Sequence, residues 1–221
     1  MAGVGEDGEK ETGRLEAFSD GVFAIAVTLL VLDFKVPKPA ELPAGPGAFG
    51  THGLLAALLA QWPTFLAYLT SFLSILVMWV NHHLLFGLMR RTDHLFMYLN
   101  GLLLLCVTFV PFPTALVAAY LEHPGATAAA ALYSATYLCI AIVYNLLWRH
   151  ASRDRRLLDS AASAAAIDAI DRSYRFGPPL YALALVLAFV QLTASLFTCL
   201  ALAVFFSVTG SRGRRQRPST P

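Results

Sequence analysis

Charge is what this sequence has least of. Only 14% of its 221 residues are Asp, Glu, Lys or Arg, against about 25% in an ordinary soluble domain, and the intervals 64–88 and 95–121 contain none. With 57% apolar residues and a mean hydropathy of +0.61, this excludes a soluble globular domain and leaves an all-α integral membrane protein. Cysteine is also scarce. Cys106, Cys139 and Cys199 fall within apolar runs without a CxxC or other ligand spacing, which excludes a disulfide framework and a thiolate metal centre. A removable leader is not expected, because the N-terminus mixes Glu6, Asp7, Glu9 and Lys10 and no small-residue cleavage site follows the first apolar run. His82 and His83 are adjacent, so on a helix they point about 100° apart and do not share a metal. No nucleophile stands in a pattern with a base, so neither an enzyme nor a cofactor is expected, and no nucleic-acid partner is implied.

What is there is a series of apolar runs divided by polar turns. The expected spans are 18–36, 64–88, 95–121, 126–148, 177–191 and 193–208. Residues 1–13 read as a disordered cytoplasmic N-terminus, 14–208 as a six-span domain and 209–221 as a basic cytoplasmic tail. Residues 37–52, with Pro37, Pro39, Pro43 and Pro46, read as an irregular loop. Between 150 and 175 the composition turns polar, and the pairs Asp168/Arg172 and Asp171/Arg175 have the spacing of helical ion pairs, so a polar helix outside the lipid is expected there. Residues 177–208 form thirty-two uncharged positions. One helix of that length would be about 48 Å long, far beyond a core of ~30 Å, so a division near Gln191–Thr193 is expected. Six spans put fourteen of the sixteen Lys and Arg on the N-terminal side and leave Lys35 and Lys38 on the other, an asymmetry that puts both termini in the cytoplasm.

The first span carries the chemistry. Counting 100° per residue from Ile25, Thr28 falls at about 300°, Leu29 at about 40° and Leu32 at about 340°, whereas Ser19 and Asp20 fall near 120° and 220°. The aliphatic stripe is thus a packing face or a pore lining, and the polar signature faces elsewhere. An acid at the lipid edge needs partners. Trp79, Asn81, His82 and His83 near the end of the second span, and Asn100 at the start of the third, lie at the same level. This cluster reads as a structural hydrogen-bond network or as a titrating site. A proton-coupled transporter using Asp20 and His82, and a membrane enzyme using His82, His83 and Asp20, are the other functional readings.

The pattern Arg14-x-x-x-Phe18-Ser19-Asp20, then Ala24-Ile25-x-x-Thr28 and Leu32, resembles the first-helix signature of the transmembrane protein 175 family of potassium channels. The resemblance continues in Trp79-x-Asn81-His82-His83 and in Asn100 with Val110-Pro111-Phe112-Pro113. It implies six helices per subunit in a non-canonical tetrameric channel without a TVGYG filter, and no TVGYG stretch occurs here. It further implies a homotetramer in the plasma membrane of a prokaryote, with K⁺ as the permeating ion and the lipid bilayer as its surroundings. The family's hydrophobic constriction maps onto Ile25, with Leu29 and Leu32 further along and Thr28 beside the ions. Arg14, Phe18, Ser19 and Asp20 would hold the pore helix through Trp79, Asn81, His82 and Asn100.

Overall fold

The chain is an integral membrane protein of packed helices. A computed structural model describes the backbone over residues 3–38 and 51–212 and the side chains over 12–38, 53–165 and 167–206. The order is α1 (Gly3–Leu29) ending in a 3-10 turn (Leu30–Asp33), α2 (Thr51–Leu59), α3 (Trp62–Phe86), α4 (His94–Phe109), α5 (Pro111–Tyr120), α6 (Ala126–Ser152), α7 (Ala164–Val190) and α8 (Leu192–Arg212). Five stretches are long and apolar enough to cross a membrane, Thr12–Asp33, Trp62–Phe86, His94–Tyr120, Ala126–Arg155 and Ile167–Val190, and a shorter apolar helix covers Leu192–Phe206.

Helix limits follow from local chemistry. Asp93 caps α4 by accepting from the Phe96 N–H at 2.8 Å, which satisfies one of the donors that a helix start leaves open. Pro111 falls at the first position of α5, where its missing N–H costs nothing, so α4 and α5 form one kinked crossing. Gly125 precedes α6 with φ 104°, a conformation that a side chain resists.

Two stretches differ from the sequence expectation. Disorder is expected over 1–13, whereas the backbone is helical from Gly3 onward, continuous with the apolar run although Gly3, Gly5, Gly8 and Gly13 each disfavour a helix by about 1 kcal/mol relative to Ala. The separate polar helix expected over 150–175 is instead divided. Residues 150–152 end α6, and Ala164 begins a 27-residue α7 that carries the Asp171–Arg175 pair, 3.0 Å, and continues unbroken into the fifth crossing. Pro178 and Pro179 lie inside this helix. Pro178 has no N–H for the carbonyl of Tyr174 four residues back, and Asn145 of α6 supplies the replacement, its Nδ2 donating to Tyr174 O at 2.8 Å. Residues 213–221 of the basic tail lie outside the described residues.

The core is sealed by α6, which packs extensively against α7 and also meets α4, α5 and α8. Tyr133, Tyr137 and Trp148 on α6 are among its largest fully buried side chains. Ser134 Oγ pairs with Ser195 Oγ of α8 at 2.9 Å, and Ser195 in turn donates to Ala184 O of α7 at 2.8 Å. α1 lies at the margin of this bundle, packed on α3 and α4 only along one face.

Candidate functional site

α1 turns one face inward and leaves the opposite face bare. Ser19, Phe23, Ala26 and Leu30, spaced four, three and four residues apart, are buried, the period of one helical stripe. Ser19 is fully enclosed and begins a directional chain of hydrogen bonds. Its Oγ donates to Leu15 O at 2.8 Å and accepts from Asn100 Nδ2 at 2.9 Å, while Asn100 Oδ1 faces His82 Nε2 at 2.9 Å. With the amide so oriented, His82 carries its proton on Nε2 and donates it to Asn100. Three spans are thereby tied through one buried amide. Phe86 stacks on the His82 ring with centroids 4.4 Å apart, Phe23 packs against it at a tilt with centroids 5.3 Å apart, and among the described residues its Nδ1 has no hydrogen-bond partner.

A second tie lies on the flank of α1. Trp79 Nε1 donates to Asp20 Oδ1 at 2.8 Å, so the half-buried acid receives a hydrogen bond in place of water. One turn nearer the N-terminus, Glu16 Oε1 meets His83 Nδ1 at 2.9 Å. The two ties share one wall, since the Trp79 and His83 rings stack at 6.1 Å.

The described hydrogen bonds do not bring Arg14, Phe18 or Asn81 into this network. Counting back from Ile25 puts Phe18 at about 20° and Arg14 at about 340°, and both are exposed, Phe18 by 63%. Asn81 is one residue, hence about 100°, from His82. It lines a cavity of about 60 Å³ with Tyr137, Tyr144, Tyr174 and Phe206, between α3, α6, α7 and α8.

The opposite face of α1 is apolar and uncovered. Ile25 is 58% exposed, Leu29 40% and Leu32 72%, so they form a free aliphatic stripe along the end of α1 and its terminal turn. Thr28 is exposed on the same face, and its Oγ1 donates to Ile25 O at 2.9 Å, which leaves the oxygen lone pairs directed outward from the helix. Among the described residues no three His, Cys, Asp or Glu side chains group as metal ligands.

The sequence reading did not find two further ties. Asp93 caps α4 and also faces His150 Nε2 at 2.9 Å and Arg156 Nη2 at 3.2 Å, which joins the turn before α4 to the far end of α6. Desolvation opposes the charge, but the Phe96 N–H, His150 and Arg156 outweigh it and hold the Asp93 carboxyl below the ordinary aspartate range. An acid just before an apolar run was the available signal for the cap. Gln61 and the Lys35 backbone exchange two hydrogen bonds, 3.1 and 2.9 Å, and no spacing announces a pair so distant in the chain.

Known proteins bear on this arrangement. The family profile described as "Endosomal/lysosomal potassium channel TMEM175" matches residues 14–111, the interval that holds α1 from Arg14 onward and both sets of its partners. A protein of Chamaesiphon minutus named a potassium channel is 55% identical over 90% of this chain and 95% of its own length. One of Streptomyces collinus with the same kind of name is 45% identical over 89% of this chain and 91% of its own. A crystal structure of a Chamaesiphon minutus homologue, described as a lysosomal potassium-selective channel TMEM175 homologue, superposes with a TM-score of 0.78. It covers 91% of this chain and 98% of that one at 54% identity.

Proposed function

This chain belongs to the TMEM175 family, a family of ion channels and not of enzymes, and from that premise we propose that it is a passive, potassium-preferring channel whose pore is lined by α1. Relatives named potassium channels that match over nearly their whole length support the permeant ion. The observation that carries the pore assignment is the division of α1: Ser19, Phe23, Ala26 and Leu30 are buried in the subunit while Ile25, Leu29 and Leu32 stand free.

In this reading four copies surround an axis and bring Ile25, Thr28, Leu29 and Leu32 together. Rings of branched aliphatic side chains exclude water and gate by dewetting. A weakly hydrated K⁺ gives up its water at such a neck more readily than Na⁺, and the outward Thr28 oxygens replace some of its ligands. Discrimination is therefore modest and conduction slow. Arg14 and Phe18, on the same face, line the approach to the neck, and the Ser19–Asn100–His82 chain and the Asp20–Trp79 bond keep the pore face aimed at the axis. Asp20 and His82 have separate partners, Trp79 and Asn100, which favours an anchoring role over proton transfer between them. The channel unit is residues 14–208, in the plasma membrane of a prokaryote with both termini cytoplasmic, the orientation favoured by the Lys and Arg count.

Cross-linking tests the assembly. In protein with the three native cysteines replaced by alanine, Ile25→Cys is expected to give disulfide-linked dimers on mild oxidation, and Val186→Cys, on the exposed face of α7, is expected to give none. A monomer by native mass, or equal cross-linking at both sites, overturns the reading.

A further inference from the structure

A strap of residues 153–163 joins α6 to α7 and is fastened to the turn between α3 and α4. Leu157 O accepts from the Arg90 and Arg91 N–H groups at 3.0 and 3.4 Å, and the Asp159 N–H donates to Leu88 O at 2.9 Å. Leu157 and Leu158 are buried in one cluster with Phe86, Met89 and Trp148. Within the strap Asp154 and Arg155, neither of them glycine, take φ of 55° and 54°, a region that costs a side chain about 1–2 kcal/mol per residue. The buried leucines and the Arg155 Nη2 bond to Ala162 O at 3.0 Å hold this turn in place.

Residues far apart in the chain thereby present one basic surface. Arg90 and Arg91, Arg149 near the end of α6, and Arg153, Arg155 and Arg156 on the strap are all exposed. Three aspartates lie among them. Asp93 takes Arg156 at 3.2 Å, Asp159 accepts from the Ala161 N–H at 2.8 Å, and Asp154 lies 3.9 Å from Arg153 with both side chains largely in the open. Among the described residues, Arg91, Arg153 and Arg155 thus have no carboxylate closer than 3.9 Å. The surface adjoins the lipid-facing part of α4, where exposed Leu95, Tyr98, Leu102 and Leu105 form one stripe that begins four residues after Arg91. Tyr98, one turn inside this crossing and 77% exposed, marks the headgroup level.

We propose that this surface docks an anionic phospholipid of the adjoining leaflet, its phosphate at Arg91, Arg153 and Arg155 and an acyl chain along Leu95, Tyr98 and Leu102. Each arginine near an anionic membrane surface adds a favourable charge, and the guanidinium fork matches two phosphate oxygens at once. A zwitterionic lipid carries its own ammonium, which competes with the arginines for the phosphate. The site is separate from the α1 stripe and stands whatever ion the channel passes.

Full-length protein carrying Tyr98→Trp is reconstituted in phosphatidylcholine vesicles containing either phosphatidylglycerol or phosphatidylcholine brominated near the headgroup end of the acyl chains, which quench indole fluorescence on contact. The difference from wild type isolates the added indole. Brominated phosphatidylglycerol is expected to half-quench it at a mole fraction about three- to tenfold lower than brominated phosphatidylcholine, the enrichment that one or two exposed phosphate–guanidinium pairs supply. Arg91→Gln with Arg153→Gln is expected to remove the preference, and Arg91→Lys with Arg153→Lys to keep most of it. Arg172→Gln with Arg175→Gln, an equal loss of charge on α7, is expected to leave it unchanged. Equal quenching by the two lipids, a preference that survives Arg91→Gln with Arg153→Gln, or one that falls as far with the α7 pair overturns the proposal. So does the absence of quenching by either lipid, as when a second copy of the chain covers this face of α4. Loss of the preference to inorganic phosphate at constant ionic strength marks a site for a soluble anion and overturns it too.

Discussion

Replacing Asn145 with leucine removes the donor that replaces the hydrogen bond lost at Pro178. Asn145 Nδ2 lies 2.8 Å from Tyr174 O, and the proline four residues on gives that carbonyl no intrahelical partner. Leucine keeps most of the side-chain volume, so the expected cost is chiefly electrostatic. Side-chain hydrogen bonds inside membrane proteins are worth about 0.6 kcal/mol and at most about 1.7, and an unsatisfied buried carbonyl adds about 1–3 kcal/mol. A loss of about 1–3 kcal/mol lowers the melting temperature of a chain this size by about 2–12 °C, measured as protein remaining in its native size-exclusion peak after heating in detergent. Pro178→Ala restores the N–H to Tyr174 O within α7. In that background Asn145→Leu is expected to cost less than about 1 kcal/mol, and the difference between the two backgrounds is the coupling energy. The same loss with and without the proline would refute the idea that Asn145 acts by replacing the missing N–H.

Four further outcomes follow from the same contacts. Asn100→Ala breaks two hydrogen bonds between helices and leaves the His82 Nε2 proton without an acceptor, whereas Ser19→Ala breaks one between helices, from Asn100, and one within α1, to Leu15 O. The first is therefore expected to lower thermal stability more than the second, by about 1–2 kcal/mol. Trp79→Phe is expected to destabilise by about 1 kcal/mol, and Asp20→Asn by less, because the amide oxygen still accepts from the indole; thermal melts of the two variants rank them. Because the folded Asp93 carboxyl is held below its unfolded value, its ion pairs contribute fully above about pH 4. That contribution is lost as pH falls through the folded pKa, and Asp93→Asn flattens only this acid limb of a stability-against-pH curve. Gly125→Ala puts a side chain at φ 104° and is expected to cost about 1–2 kcal/mol, read as a lower melting temperature.

The membrane class was legible because lipid imposes long uncharged runs, and runs such as 64–88 and 95–121 have no reading as loops. That Ser19 and the Ile25–Leu32 stripe face different ways also follows from counting 100° per residue, whereas which of the two turns inward is decided by how α1 docks on α3 and α4. Applied to Phe18 and Arg14, the same count places them on the bare face, whereas their resemblance to a motif had grouped them with Ser19 and Asp20. Adjacency in sequence is not adjacency on a helix. The continuity of α7 through Pro178 and Pro179 was not legible, because a proline ends a helix unless another segment satisfies the freed carbonyl, and that donor, Asn145, lies twenty-nine residues earlier in the chain. Contacts such as Glu16–His83, Asp93–His150 and Gln61–Lys35 were hidden for the same reason: they depend on how helices dock, and no local period encodes them.

The pore assignment is tested most directly by K⁺ current through purified protein in planar bilayers, compared between wild type and Ile25→Asn. Wild type is expected to pass a small K⁺ current that exceeds the Na⁺ current. Asparagine at the neck hydrates the ring, so conductance is expected to rise and the preference for K⁺ to fall. Silence in both proteins, or an Ile25→Asn current identical to wild type in size and selectivity, contradicts a pore lined by α1.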